Sequence, residues 1–186
     1  MYCNKPLKKY LDDLAAKLPA PGGGSAAALT AALGAALISM VVNFTLGKPK
    51  YAEFERGLKN ILAASENLRN RFLKLVDLDV TAYKSKNLKK ALDVPFSVAR
   101  LCFKGVQLCP PLIKKGNINL VSDVAVAAVL LESAFRCAYF NVEINLKYLK
   151  DEALARKIHS ELDKKNKKII QIRRDTEVKV GKIIRG

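Results

Sequence analysis

The sequence predicts an all-α protein, a bundle of long helices that assembles as a dimer. Three observations carry this expectation. Apolar residues recur at helical spacing along most of the 186 residues, with no strand-like alternation and no internal repeat. Half of the residues are hydrophobic, yet only 7% are aromatic and Trp is absent. Small and aliphatic side chains must therefore do the packing, which suits closely approaching helices. The stretch 26–42, AAALTAALGAALISMVV, is too apolar on every side for an exposed helix. The length suits one domain with a substantial core.

Residues 6–17 predict a first short helix with Leu7, Leu11, Leu14 and Leu18 at helical spacing, ended by Pro19 and Pro21. Gly22, Gly23 and Gly24 turn the chain. Ser25 then caps, or enters the first turn of, a second helix that runs to about Leu46, where GKP at 47–49 closes it. Gly34 lies mid-helix, where it costs about 1 kcal/mol against alanine. Close packing offsets that cost and places this helix at the centre of the bundle or of a dimer. It is also the strongest membrane candidate, but Thr30, Gly34 and Ser39 soften it. It reads as a buried helix, and no membrane partner is expected.

A third helix fits 50–85, with a broad apolar stripe from Leu58 to Tyr83. A fourth fits 88–109, bent at Pro95, with Pro110 and Pro111 after it and a loop at 114–119. A fifth runs from near Ser122 to Tyr148 and is apolar nearly all round. Residues 150–186 alternate charge over one thin apolar face. They read as a basic C-terminal helical extension of a single 1–186 domain, a partly detached helix or a dimerisation arm.

The formal charge of +16 implies affinity for anions without naming one, and also fits a lysine-rich, thermophile-style surface. Nucleic acid is the less expected anion, since no aromatic platform with interleaved basic residues is apparent. Cys3, Cys102, Cys109 and Cys137 form no close pair and His159 is the sole histidine, so no metal site is expected. The first eighteen residues carry charge throughout, unlike a secretion signal. A reduced, cytoplasmic setting is the expectation.

Four stretches stand out chemically. A glycine run before a helix start can turn unpaired N–H groups toward an anion or a polar ring, so PGGGS offers a binding nest; the alternative is a tight loop between crossing helices. No GK[ST] follows, so it is not a nucleotide loop. Ser122 or Asp123 caps the fifth helix; an Asp123 carboxylate sheltered by so apolar a helix would be raised in pKa and could carry a proton. Asp79, in DLDVTAY, sits in a pattern otherwise aimed at the core, and points away from Asp77. Asn141 and Asn145 lie one turn apart and can fix a ring bearing donors and acceptors. Glu132 and Arg136, four apart, are expected to pair.

LPAPGGGSAAALTAALGAALISMVVNFTLGK closely resembles the opening motif of the formiminotransferase-cyclodeaminase C-domain family, which includes methenyltetrahydrofolate cyclohydrolases. The likeness continues through DLDVTAY, ALDVPFSVARLCF and KKGNINLVSDVAVAAVLLESAFRCAYFNVEINL, over roughly residues 5–149. The resemblance implies an all-helical dimer acting on a tetrahydrofolate one-carbon unit, with no tightly bound cofactor. It matches Gly22, Gly23 and Gly24 to the family's glycine motif, Asp123 to its helix-start aspartate, Asp79 to the aspartate before the AY pair, and Asn141 and Asn145 to its asparagine pattern. Cyclohydrolases open 5,10-methenyltetrahydrofolate with water to 10-formyltetrahydrofolate. Cyclodeaminases close 5-formiminotetrahydrofolate to the methenyl form and release ammonia. The chain without a formiminotransferase domain favours the cyclohydrolase; a folate-binding protein without turnover and an RNA-associated helical protein are the alternatives. Asp123 and Asp79 are the candidates for proton transfer. The glycines, Ser25, Ser122 and the asparagines are the candidates for substrate binding, and Lys48 for the glutamate end of a folate carrying one or more glutamates. Only residues 84–93 separate Tyr83 from Val94, a shorter connection than many members have.

Overall fold

The computed structural model describes all 186 residues. A 3-10 turn (Tyr2–Asn4) precedes α1 (Leu7–Ala15) and α2 (Gly23–Asn43). A second 3-10 turn (Pro49–Phe54) leads into α3 (Glu55–Lys84), followed by α4 (Leu88–Val106) and α5 (Cys109–Lys115). A third (Ile118–Leu120) opens α6 (Val121–Leu149), and α7 (Glu152–Arg185) closes the chain. The architecture is the expected long-helix bundle. Asn87 caps α4 by accepting from the Lys90 N–H at 3.1 Å, and Asp151 caps α7 by accepting from the Leu154 N–H at 2.9 Å.

The centre of the bundle is α2, packed on α3 and antiparallel to α6. Contacts along α2 run in reverse order along α6. Gly23 faces Asn141, Gly34 faces Leu131 and Ala127, and Thr45 Oγ1 accepts from the Asn117 N–H at 2.8 Å. A Cβ on Gly34 would stand 2.9 Å from Leu131 Cγ and 3.2 Å from the Ala127 carbonyl oxygen. Ala28, Ala31 and Ala35 are fully buried beside it, so small residues let the two backbones close together. The buried hydroxyls of Ser39 and Ser65, 2.8 Å apart, satisfy each other between α2 and α3.

Three expectations change. Pro110 and Pro111 do not end a helix; they open α5, where the missing N–H costs nothing. The inward residue of α1 is Tyr10, whereas Leu7 and Leu11 are exposed, because Tyr10 finds a hydroxyl partner beneath it. Residues 150–186 are not detached: α7 packs on α6, α4 and α5, with Ile158, Leu162, Ile169, Thr176 and Val180 buried. Both α2 and the 118–149 segment are long and apolar enough to cross a membrane. In the fold they bury much of that surface in each other, leaving a stripe that includes Leu33, Val126 and Val129 exposed.

Gly34→Val is expected to destabilise the fold by about 1–3 kcal/mol through overpacking against Leu131. Gly57→Ala, with open space around it, should be neutral or stabilising by helix propensity. Urea-unfolding midpoints test the pair; equal midpoints would contradict the close α2–α6 contact.

Candidate active site

At the start of α2, Gly22 is the N-cap and Gly23 and Gly24 are already helical. None of the three takes a positive φ, so the freedom of glycine is not used there. What matters is the missing Cβ. One on Gly24 would overlap the Asp79 carboxylate, whose Cγ would be 2.8 Å away. One on Gly23 would press on the Asn141 amide, 3.2 Å from Nδ2. Gly22 faces open space. The glycines thus bring a helix N-terminus against a carboxylate from α3 and an amide from α6.

Ser25 holds this corner together instead of facing a ligand. Its buried hydroxyl donates to the Val76 carbonyl at 3.0 Å and accepts from Tyr10 at 3.2 Å, pinning α1 and α2 to α3. Its backbone N–H serves Asp79. Burial pushes the Asp79 carboxyl above the ordinary aspartate range, and that N–H only partly opposes it. Asp77 points elsewhere: it accepts from the backbone N–H groups of Tyr2 and Cys3. Burial pushes it up too, but those donors outweigh burial and leave it below the usual range.

On α6, Asn141 Nδ2 donates to the Cys137 carbonyl at 2.8 Å. Asn145 Nδ2 donates to the carbonyls of Asn141 at 2.7 Å and Ala91 at 3.1 Å, the latter on α4. These bonds fix both amides, and their carbonyl oxygens remain as acceptors for a ligand's N–H groups. Gly23, Gly24, Asp79, Asn141 and Asn145 therefore form one constellation.

Lys48, Ser122 and Asp123 lie elsewhere. Asp123 is in the first turn of α6, eighteen residues from Asn141, or about 27 Å along the axis. Lys48 and Ser122 are exposed and Asp123 is half-buried at that same far end. Asn117 organises it by donating from its backbone to Thr45 Oγ1, while Tyr51 Oη accepts from the Ile118 N–H at 3.1 Å. Tyr10, Thr45 and Tyr51 lie outside the stretches that stand out chemically in the sequence. The only hint was a polar group placed where burial requires a partner. Glu132 and Arg136 do not pair: Glu132 is buried with Oε1 unpartnered, and Arg136 is exposed.

The constellation defines a class: an all-helical protein with a sheltered carboxyl at a glycine-lined helix start, faced by two amides. The chain belongs to the formiminotransferase-cyclodeaminase family, whose sequence profile matches residues 6–86 and 84–164. A methenyltetrahydrofolate cyclohydrolase of Methylorubrum extorquens is 38% identical over 183 residues, 86% of this chain and 88% of that protein. The mouse formimidoyltransferase-cyclodeaminase is 31% identical over 82% of this chain but only 32% of its own length. The crystal structure of a formiminotetrahydrofolate cyclodeaminase from Thermotoga maritima superposes with a TM-score of 0.92 at 30% identity, covering 97% of this chain and 98% of that one.

The raised carboxyl of Asp79 has a consequence for stability. Its folded-state pKa lies above the unfolded value, so its contribution is fully present below the unfolded pKa and is lost as pH rises through the folded one. Asp79→Asn should therefore gain stability relative to the wild type as pH climbs from about 3 towards 7. Urea midpoints across that range test the sign; a relative loss would contradict a burial-dominated site.

Proposed function

We propose that the chain hydrolyses 5,10-methenyltetrahydrofolate to 10-formyltetrahydrofolate. The observation that carries this reading is the Asp79 carboxyl, raised by burial and set against the start of α2, which also meets the Asn141 amide. The cyclohydrolase relative, 38% identical and matched over most of its length, supports water as the second reactant. A carboxyl with a raised pKa can accept a proton near the working pH and return it. Asp79 takes one proton from water as its oxygen bonds to the methenyl carbon. The same carboxyl then protonates N5 as the carbon–N5 bond breaks, and the remaining hydroxyl proton leaves to solvent as the formyl C=O forms. The carboxylate also favours the cationic substrate before attack. The asparagine carbonyls take N–H groups of the pterin ring. The ligand is a cytoplasmic folate carrying one or more glutamates.

The Thermotoga structure supports a second reading, closure of 5-formiminotetrahydrofolate with loss of ammonia. The same carboxyl would then protonate the leaving nitrogen.

The separated Asp123 fits a homodimer. The exposed stripe of Leu33, Val126 and Val129 gives an apolar face for a second copy. A two-fold contact there, with the α2 helices antiparallel, sets the partner's Asp123 and the partner's Lys48 beside the glycine end of this chain. Each site then draws Asp79 and the asparagines from one copy and the helix-start aspartate from the other.

The test follows methenyl absorbance, its loss on hydrolysis and its gain from the formimino substrate. Hydrolysis with no gain supports the cyclohydrolase; gain with ammonia release overturns it in favour of the second reading. Asp79→Asn and Asp123→Asn should each fold and lose about 10²-fold or more in rate. Unfolding and refolding the two inactive variants together should restore activity, because mixed dimers rebuild one intact site. A mixture that stays inactive would place the whole reaction within one chain. Gly24→Ala should cost far more activity than Gly23→Ala, since only the first collides with the carboxylate.

A further inference from the structure

A groove of about 580 Å³ runs between the end of α6 and the start of α7, outside the constellation above. Phe140 and Ile144 form its apolar wall, 68% and 44% exposed. Each immediately precedes one of the site asparagines on α6. The groove thus begins about a third of a turn round the helix from Asn141 and Asn145, ~10 Å along the surface of a helix this wide.

The charges in the groove are unequally engaged. Its three acids have partners. Glu143 lies 3.5 Å from His159, Asp151 caps α7 through the Leu154 N–H, and Glu152 lies 3.5 Å from Arg156. Its two lysines, Lys147 and Lys150, are exposed and make no ion pair. Lys150 is held by the joint itself, in the left-handed region at φ 55, as the C-cap of α6. Two free ammonium groups beyond an aromatic and aliphatic wall suit a flat apolar body that ends in carboxylates.

We infer that this groove holds the p-aminobenzoyl-glutamate half of the substrate, with Phe140 and Ile144 against the benzoyl ring and Lys147 and Lys150 on the glutamate carboxylates. The inference rests on the folate reading of the neighbouring constellation. The groove sets how tightly the substrate is held, while the asparagines and Asp79 act on its reacting end. Lys147 and Lys150 are therefore specificity residues, and their effect weakens as salt rises.

The experiment compares 5,10-methenyltetrahydrofolate with 5,10-methenyltetrahydropteroate, the same compound without glutamate, in the wild type and in a Lys147→Ala/Lys150→Ala variant. The wild type should show a KM about tenfold lower for the glutamate-bearing compound. The double variant should lose that preference with kcat unchanged and treat the pteroate as the wild type does. Phe140→Ala should raise KM for both compounds. A preference that survives the double substitution, or an equal effect on both compounds, overturns the inference. Direct binding of p-aminobenzoyl-glutamate separates this inference from the functional proposal. If the wild type turns over neither folate yet binds the fragment, and the double variant does not, the groove assignment stands and the proposed reaction falls. If the wild type turns over folate but the fragment binds equally to both proteins, the reaction stands and the groove assignment falls.

Discussion

Two apolar helices, α2 and α6, lie antiparallel with almost no side chain between them at Gly34, and the rest of the bundle is arranged around that contact. A Cβ there would meet Leu131 and the Ala127 backbone, so the spacing tolerates only glycine without adjustment. Gly105 of α4 meets the same Leu131 from another side, with Leu68 of α3 next to it. One leucine of α6 thus keys α2 and α4. Such close packing leaves little room for the helices to slide, because a shift of one turn would set larger residues at the glycine positions.

The rigidity of that pair sets the register of both ends. At one end Gly23 meets Asn141, and at the other Thr45 meets Asn117. The site is built on helix termini and helix faces, which hold side chains more precisely than loops do. Asp79 is part of this economy. It sits deep in α3, half-buried, and the helix start of α2 is brought to it by absent side chains at Gly24 and by the Tyr10–Ser25–Val76 chain of hydrogen bonds. The outcome is a carboxyl whose burial raises its pKa while a helix N-terminus limits the rise.

Charge is distributed unevenly with respect to this site. Many of the cations of α7 lie on a solvated face, and some are neutralised locally, as Lys165 is by Glu161, which also holds Arg100 of α4. Glu161 is held down at about 2, first by the Arg100 hydrogen bonds, which burial only partly opposes. The bulk charge of +16 is therefore a weaker guide to the ligand than which lysines lack a partner.

The sequence by itself determined six of the seven helices and their order, because periodicity and proline and glycine punctuation act locally. It marked Gly22–Gly24, Asp79, Asn141 and Asn145 through motifs that carry family likeness, and these do converge, apart from Gly22, which faces open space. It misjudged what depends on neighbours. The inward face of α1 went to Tyr10 over the leucines, since only a partner hydroxyl on Ser25 makes that burial favourable. The prolines at 110–111 opened a helix, because their position relative to the next turn decides whether a missing N–H matters. Glu132 turned inward away from Arg136, a choice set by packing against other helices. Only the tertiary structure decided that Asp123 lies at the opposite end of α6 from Asn141, about 27 Å along the axis, and so away from the corner that holds Asp79. Two residues in motifs of equal strength cannot reveal from sequence whether they share an end of the bundle, because that depends on the direction in which α6 returns past α2.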